Sequence, residues 1–447
     1  MEINTKVLSG FMELLPHEQV EFDRLKTLIE STFRSFGFSP LDTPVIERSE
    51  VLLANAGAEI NKQVYFAYNG PLAEKKDALA LRFDLTVPLA RYVAEHFSAL
   101  AFPFRRMHIG KVYRGERAQK GRFREFYQCD IDVIGRNSLS LSYDAELPAI
   151  IYQLFKRLNF GKFTIRINNR KVLGGFIAEL GATADASEIL RIVDKAEKIP
   201  REKLLSEFVD LGLNDAQVAK LLEFMGIKGS PNEILERLGE LNIPNEIFAT
   251  GVSELATVVE ILEQMGIEAD YFAIDLAIAR GLDYYTGTVY ETILDEYPGI
   301  GSVCSGGRYD NLAENYTKEK LPGVGISIGL TRLFWQLREI GLILAANKSV
   351  ADVIVLPQSP QNMPEALKVA AAIRQIGLNV DILFEDIKMN KKLQYVTKKD
   401  APYLVVARTN DEGESVLSLQ YKDGEELKKA ILPLEELVAT LAPTEVG

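Results

Sequence analysis

The sequence predicts an α+β fold in which an antiparallel sheet is flanked by helices, interrupted by a helical insertion and followed by a smaller α/β domain. Three observations carry that prediction. Two strand-like runs, residues 105–114 and 123–134, are joined by the polar, basic stretch 115–122, which makes a β-hairpin with a long loop. Residues 180–264 turn to Glu, Leu, Lys and Ala at helical spacing, as in 202–211 and 215–225, and read as the insertion. Beyond residue 349 strands and helices alternate.

The elements follow in order. Val20, Phe22, Leu25, Leu28, Ile29, Phe33 and Phe36 recur at three- and four-residue intervals, so residues 18–36 form an amphipathic helix closed by Gly37. Residues 38–46 are extended, and Pro40 and Pro44 confine them to a sheet edge or an interface. After the hairpin and the insertion, strands return at 271–279, 286–294 and 324–328. Residues 345–349 read as a linker. Strand 352–356, helix 363–376, strand 379–384, helix 391–399 and strand 403–407 then follow. The domains expected are therefore 1–345, with the insertion inside it, and 350–447.

Composition narrows the function. With 47% apolar and 26% charged residues the chain is of ordinary globular type, and no apolar run approaches the ~18 residues of a membrane span. The start shows no cationic region followed by an apolar stretch, which points to a cytosolic protein. Cys129 and Cys304 make no disulfide framework, and His17, His96 and His108 lack metal-ligand spacing. A net charge of −12 argues against a coat for nucleic acid, so a phosphate-bearing partner needs local basic sites.

Such a site exists. Residues 105–124 hold eight basic side chains, Arg105, Arg106, Lys111, Arg114, Arg117, Lys120, Arg122 and Arg124, against one acid, Glu116. A solvated charge run is the bland reading. Placed on paired strands and their loop, however, several arginines can converge on one face and meet a polyphosphate through forked hydrogen bonds. A second cluster is Arg280-Gly281-Leu282-Asp283-Tyr284-Tyr285-Thr286-Gly287 with Gly306-Gly307-Arg308-Tyr309-Asp310, where glycines permit close approach and tyrosines bring polar tips. The run Gly323-Val324-Gly325-Ile326-Ser327-Ile328-Gly329 has neither the spacing nor the βαβ setting of a dinucleotide site. There is no G-x-S-x-G elbow. The lysines 391, 392, 398 and 399 give the last predicted helix a face that suits either RNA or solvent.

Taken together, these blocks resemble the histidyl-tRNA synthetases, a family of class II aminoacyl-tRNA synthetases, over essentially the full length. The first helix and the strand ending at Pro44 resemble motif 1, which in class II enzymes forms the dimer interface. Arg114-Gly115-Glu116, the loop, and Arg122 followed by Phe126 match motif 2. Gly323 to Arg332 matches motif 3, and Arg280 to Glu291 with Gly306 to Leu312 match the two histidine-specific blocks. The resemblance implies a class II synthetase-like antiparallel sheet for 1–345 and an anticodon-binding domain for 350–447.

The same resemblance implies roles. Arg114 meets the ATP α-phosphate and the substrate carboxylate. Glu116 and Arg122 address the adenine-ribose end and the γ-phosphate, and Phe126 and Arg332 sandwich the adenine. Asp84, Thr86 and Gln128 take the α-ammonium of histidine, Asp132 and Tyr285 the imidazole, and Tyr284 and Tyr309 complete the wall. Arg280 is the catalytic cation where other class II enzymes place magnesium. Implied partners are ATP with its Mg2+, L-histidine, tRNA for histidine and a second copy of the chain, in the cytoplasm.

Physical chemistry agrees with these roles. Attack of a carboxylate on the α-phosphate needs alignment and charge neutralisation rather than an enzymic nucleophile. Neutral imidazole offers one donor and one acceptor, which a carboxylate paired with a phenol reads together. Asp84 and Asp132 stand where many bacterial members carry glutamate, and 9–13 depart from the usual entry segment. Two rivals share the framework: a non-catalytic paralogue regulating ATP phosphoribosyltransferase, and an uncharged-tRNA sensor. The chain keeps Arg114, Arg122, Arg280 and Arg332 with residues 350–447, which favours the ligase.

Overall fold

The computed structural model describes residues 3–54, 58–68, 78–117, 121–182, 185–196, 199–279, 284–343, 349–424 and 426–442. Two units emerge, Met1–Met12 with Lys26–Leu342 and Glu13–Leu25 with Ile343–Gly447. The predicted first helix is α1 (Pro16–Ser35), followed by Gly37 at a φ of 79° that suits glycine.

The first unit is built on an eight-stranded sheet. In chain order its elements are β1 (Ser39–Pro40), α2 (Thr86–Glu95), β2 (Phe104–Tyr113), β3 (Glu125–Ile134), α3 (Ser142–Leu158), β4 (Phe163–Asn169) and α4 (Arg170–Glu179). After the insertion come β5 (Phe272–Ile274), β6 (Thr288–Leu294), β7 (Cys304–Tyr309), β8 (Gly323–Gly329) and a final helix, Leu330–Glu339. The order across the sheet is β1-β2-β3-β8-β7-β6-β4-β5. Pairing is antiparallel except at the two edges, β1 with β2 and β4 with β5, so hairpin logic governs the sheet as expected. A small three-stranded sheet of Ile46–Arg48, Leu79–Leu81 and Phe66–Ala67 lies within the same unit.

Strand β3 shows how the sequence divides its two faces. Cys129, Ile131 and Val133 point into the core at 0% exposure. Gln128, Asp130 and Asp132 alternate with them on the opposite face, which is the polar one. Register then extends that face: His108, Asp130, Ser327, Ser305 and Glu291 lie in one row across β2, β3, β8, β7 and β6.

Within the insertion are α5 (Ala186–Val193), α6 (Arg201–Asp210), α7 (Asp215–Met225), α8 (Pro231–Glu240) and α9 (Glu246–Gln264). Asn214 with Gln217 and Ser230 with Glu233 form reciprocal capping boxes that start α7 and α8. Helix α9 packs on α4, and a Cβ on Gly251 or Gly175 would lie 2.6 Å from the backbone of the facing helix. These two glycines set that close approach.

The second unit carries α10 (Met363–Gln375) and α11 (Met389–Lys399) with strands β9 (Val353–Pro357), β10 (Val380–Ile382), β11 (Tyr403–Thr409), β12 (Ser415–Asp423) and β13 (Glu426–Leu432), ordered β10-β9-β11-β12-β13. The strands β12 and β13 were not expected from the sequence. The basic helix face is also corrected: Lys392 is buried with its Nζ donating to the Pro357 carbonyl at 2.7 Å, and Lys399 pairs with Asp381 at 3.3 Å. Lys391 and Lys398 are exposed.

Candidate active site

A cavity of about 420 Å³ opens on the polar face of the large sheet. Gln128 and Asp130 of β3 and Ser327 of β8 supply its floor, and the segment entering α2 contributes Asp84 and Thr86. The hairpin adds Arg114, Glu116, Arg122 and Phe126; Tyr284, Tyr285 and Arg332 close further sides. Ten of the predicted site residues thus share one cavity. Arg280 lies outside the described residues.

Local hydrogen bonds hold the arginine end. Arg114 donates from Nε to the Phe83 carbonyl at 2.9 Å, and its guanidinium lies 5.2 Å from the Phe126 ring centroid. Arg122 stands 3.7 Å from Glu116, and Arg332 donates to the Ile300 carbonyl at 2.7 Å.

Other lining residues supply acceptors. Asp84 accepts from the Val87 amide at 3.1 Å through one carboxylate oxygen, and Gln128 donates to Ser327 Oγ at 2.8 Å through its amide nitrogen. Asp84 Oδ2, Gln128 Oε1 and Asp130 Oδ1 are buried and find no hydrogen-bond partner among the described residues. Burial pushes the Asp84 carboxyl up to about 6 and that of Asp130 up to about 7. Unpaired acceptors at this depth are costly, and a group bearing several N–H donors satisfies them.

Asp132 and Tyr309 stand apart from the cavity lining. The Tyr309 hydroxyl donates to Asp132 Oδ1 at 2.8 Å, while Arg106 meets Oδ2 at 2.9 Å with both side chains buried. Burial raises the Asp132 carboxyl, with Arg106 and Tyr309 opposing. The Tyr284 ring bridges toward this pair, 5.0 Å from Tyr285 and 5.9 Å from Tyr309 between centroids. Arg106 also donates to the Leu85 carbonyl, between Asp84 and Thr86.

The expected convergence of the basic stretch is only partial. Arg114 and Arg122 reach the cavity. Arg105 instead pairs with Glu146 at 2.8 Å, Lys111 pairs with Glu125 at 2.7 Å, and Arg124 donates to the Glu116 carbonyl at 3.0 Å. Strand alternation explains the first two, since odd-numbered residues of β2 turn away from the face that carries Arg106. Lys120 lies outside the described residues. Sequence reading missed Asp130, Glu291 and Ser327 as cavity residues. The signal for Asp130 was its place midway between Gln128 and Asp132 on a period of two.

Gly323 and Gly325 of β8 also acquire a reason. A Cβ on Gly325 would fall 2.1 Å from Asp132 Oδ1, and one on Gly323 would fall 2.3 Å from the Tyr309 ring. The glycine run makes room for the Asp132–Tyr309 pair, and it lies on an antiparallel strand rather than at a phosphate-binding turn.

A largely antiparallel sheet with an arginine-bearing hairpin over its polar face defines the catalytic architecture of a class II aminoacyl-tRNA synthetase. Comparison with known proteins narrows the class. The family model described as histidyl-tRNA synthetase matches residues 10–333, and one described as anticodon binding domain matches residues 352–443. A histidine-tRNA ligase of Clostridium tetani is 51% identical over 437 residues, covering 98% of each chain. One from Stenotrophomonas maltophilia is 45% identical over 436 residues, 94% of each. The crystal structure of histidyl-tRNA synthetase from Nostoc sp. PCC 7120 superposes with a TM-score of 0.88 at 41% identity, covering 98% of this chain and 99% of that one. The chain belongs to the histidyl-tRNA synthetase family.

Proposed function

We propose that this protein is a histidine-tRNA ligase. It activates L-histidine with ATP, the histidine carboxylate attacking the α-phosphorus as the bond to pyrophosphate breaks, and then passes the histidyl group from the adenylate to the 3′ end of tRNA for histidine with release of AMP. The observation that carries this reading is the make-up of one cavity, in which Arg114, Arg122 and Arg332 line the same space as the unpartnered acceptor atoms of Asp84, Gln128 and Asp130. An amino acid presents its ammonium to the acceptors and its carboxylate toward Arg114, where the triphosphate must also lie.

Within this reading Arg114 is the cation shared by carboxylate and α-phosphate, joined by Arg280, and the two neutralise charge that grows on the phosphoryl oxygens. Glu116 and Arg122 orient the ribose and γ-phosphate. Adenine stacks between Phe126 and Arg332, taking the Phe126 face that Arg114 leaves open. Thr86 supports the ammonium, and Tyr284 packs beside the ring. Tyr285 and Asp132 read the imidazole; a carboxylate has lone pairs left after Tyr309 and Arg106, so it accepts one more hydrogen bond. Mg2+ accompanying ATP would neutralise phosphate charge, and Glu116 and Glu291, which line the cavity, are the carboxylates that would help hold it.

The C-terminal domain, residues 350–447, is assigned the anticodon end of the tRNA, and the protein acts as a cytoplasmic homodimer. Val45 with Ile46 and Phe66 of the small three-stranded sheet are exposed large apolar residues that support that association. No helix among the described residues is long and apolar enough to cross a membrane. The regulatory-subunit alternative gains little: a solved structure from Bacillus halodurans titled ATP phosphoribosyltransferase regulatory subunit/histidyl-tRNA synthetase is 22% identical at a TM-score of 0.73, a likeness of fold alone. ATP–pyrophosphate exchange with each amino acid in turn tests the proposal. Exchange dependent on histidine supports it, and exchange with another amino acid or with none defeats it.

A further inference from the structure

Strand β4 ends in two buried asparagines, Asn168 and Asn169, and helix α4 opens on Arg170. Asn168 donates to the carbonyls of Leu276 and Ile278 at 3.3 and 2.9 Å. Arg170 donates from one guanidinium nitrogen to the Ala279 carbonyl at 3.0 Å and from another to the Tyr285 carbonyl at 3.2 Å, while its own amide donates to the Gly287 carbonyl at 2.9 Å. A single planar fork therefore joins two carbonyls six residues apart in sequence, the second belonging to a tyrosine that lines the cavity.

The same turn is gripped from the insertion. Glu254 of α9 accepts from the Asn169 side chain at 2.8 Å and pairs with Lys171 at 2.5 Å, so the residues on either side of Arg170 are tied to one carboxylate. Gly175 and Gly251 bring α4 and α9 into backbone contact just beyond. A shift of α9 acts on the start of α4, because close-packed interiors transmit strain.

We infer that Arg170 is a positioning residue for the amino-acid end of the pocket, and that the helical insertion reaches the pocket through Glu254, Asn169, Lys171 and Arg170. This rests on the reading of the cavity as a histidine site. Arg170 touches no substrate; it sets where the Tyr285 backbone, and hence its ring, meets the imidazole. Misplacing an orienting group by a fraction of an ångström weakens use of the group it orients and leaves the distant phosphate contacts intact.

The test uses full-length protein carrying Arg170→Lys, Arg170→Met or Glu254→Gln, with KM for histidine and for ATP measured separately by pyrophosphate exchange and thermal midpoints taken alongside. Arg170→Met should raise KM for histidine about tenfold with ATP KM within about twofold, since uniform binding energy is lost on one substrate alone. Lysine, which reaches one carbonyl, should rescue part of the loss, and Glu254→Gln should raise KM for histidine about two- to threefold by loosening the turn. Equal loss for both substrates, a lowered kcat tracking a lowered melting temperature, or unchanged KM in the Arg170 variants would overturn the positioning role. An unchanged KM in Glu254→Gln would remove the insertion from it. Should Arg170→Met fail to fold, the lysine and Glu254 variants decide by the same criteria. Wild-type protein without histidine-dependent exchange would instead refute the functional reading.

Discussion

Three buried carboxyls within one strand's reach of each other make the cavity electrostatically expensive. Asp84 and Asp130 have carboxyls raised by burial to about 6 and about 7, so folding favours their protonated forms. The sign follows: from about pH 4, the ordinary aspartate range, stability falls as pH rises and the full cost is present above the folded values. Asp130→Asn removes one such cost. Its thermal midpoint should match wild type near pH 4 and exceed it at pH 8, and a midpoint equal or lower at pH 8 would refute the assignment. Asp132→Asn is a different case, because Arg106 and Tyr309 already engage that group. It should weaken histidine use in a graded way and largely spare ATP, as an amide still accepts a hydrogen bond. A collapse of ATP affinity with histidine use unchanged would mean that the two ends of the cavity are reversed.

At the level of elements, the glycine strand β8 is the most constrained. Gly325→Ala pushes a methyl group against the Asp132 carboxylate, and overpacking of this kind costs about 1–3 kcal/mol. The variant should melt earlier and raise KM for histidine more than KM for ATP; equal effects on both would argue that Gly325 is a folding residue only. The β2–β3 hairpin was legible because its strands are long, β-rich and joined by a polar loop. The strands β4 and β7 were not. β4 carries Arg166 and Asn168 among its apolar residues, and β7, with the sequence CSGGRY, trades propensity for clearance. In the second unit β13 sets adjacent Lys428 and Lys429 between exposed Leu427 and Ile431, an edge strand without the usual in-out pattern. Ten of the residues named from the sequence line one cavity, whereas Asp132 and Tyr309 stand apart from it. Asp130 escaped because no motif names it, although it shares the period of two of Gln128 and Asp132.

For the whole molecule, the matches to the histidyl-tRNA synthetase model and to the anticodon-binding model fall on separate stretches, residues 10–333 and 352–443. Deleting residues 350–447 should leave adenylate formation partly intact and sharply reduce charging of tRNA; equal charging by truncated and full-length protein would show that the domain is not the anticodon reader. Residues 13–25 belong to the same unit as 343–447, so the truncated chain should also melt at lower temperature. With a net charge of −12 the protein must rely on a few concentrated basic contacts, and charging should fall steeply with added salt. Charging measured across a salt series that proves flat would contradict that dependence.

The strand β8 carries a further consequence for altering what the pocket accepts. At Gly323 and Gly325, which pack against Tyr309 and Asp132, it is already at the smallest side chain available, so no substitution there can make space. Selection on these positions is one-sided: change can crowd the pocket but cannot deepen it. Along this strand, extra room can come only from shortening Asp132 or Tyr309, the groups that fill the clearance, and such a change forfeits the hydrogen bond they share as it gains volume.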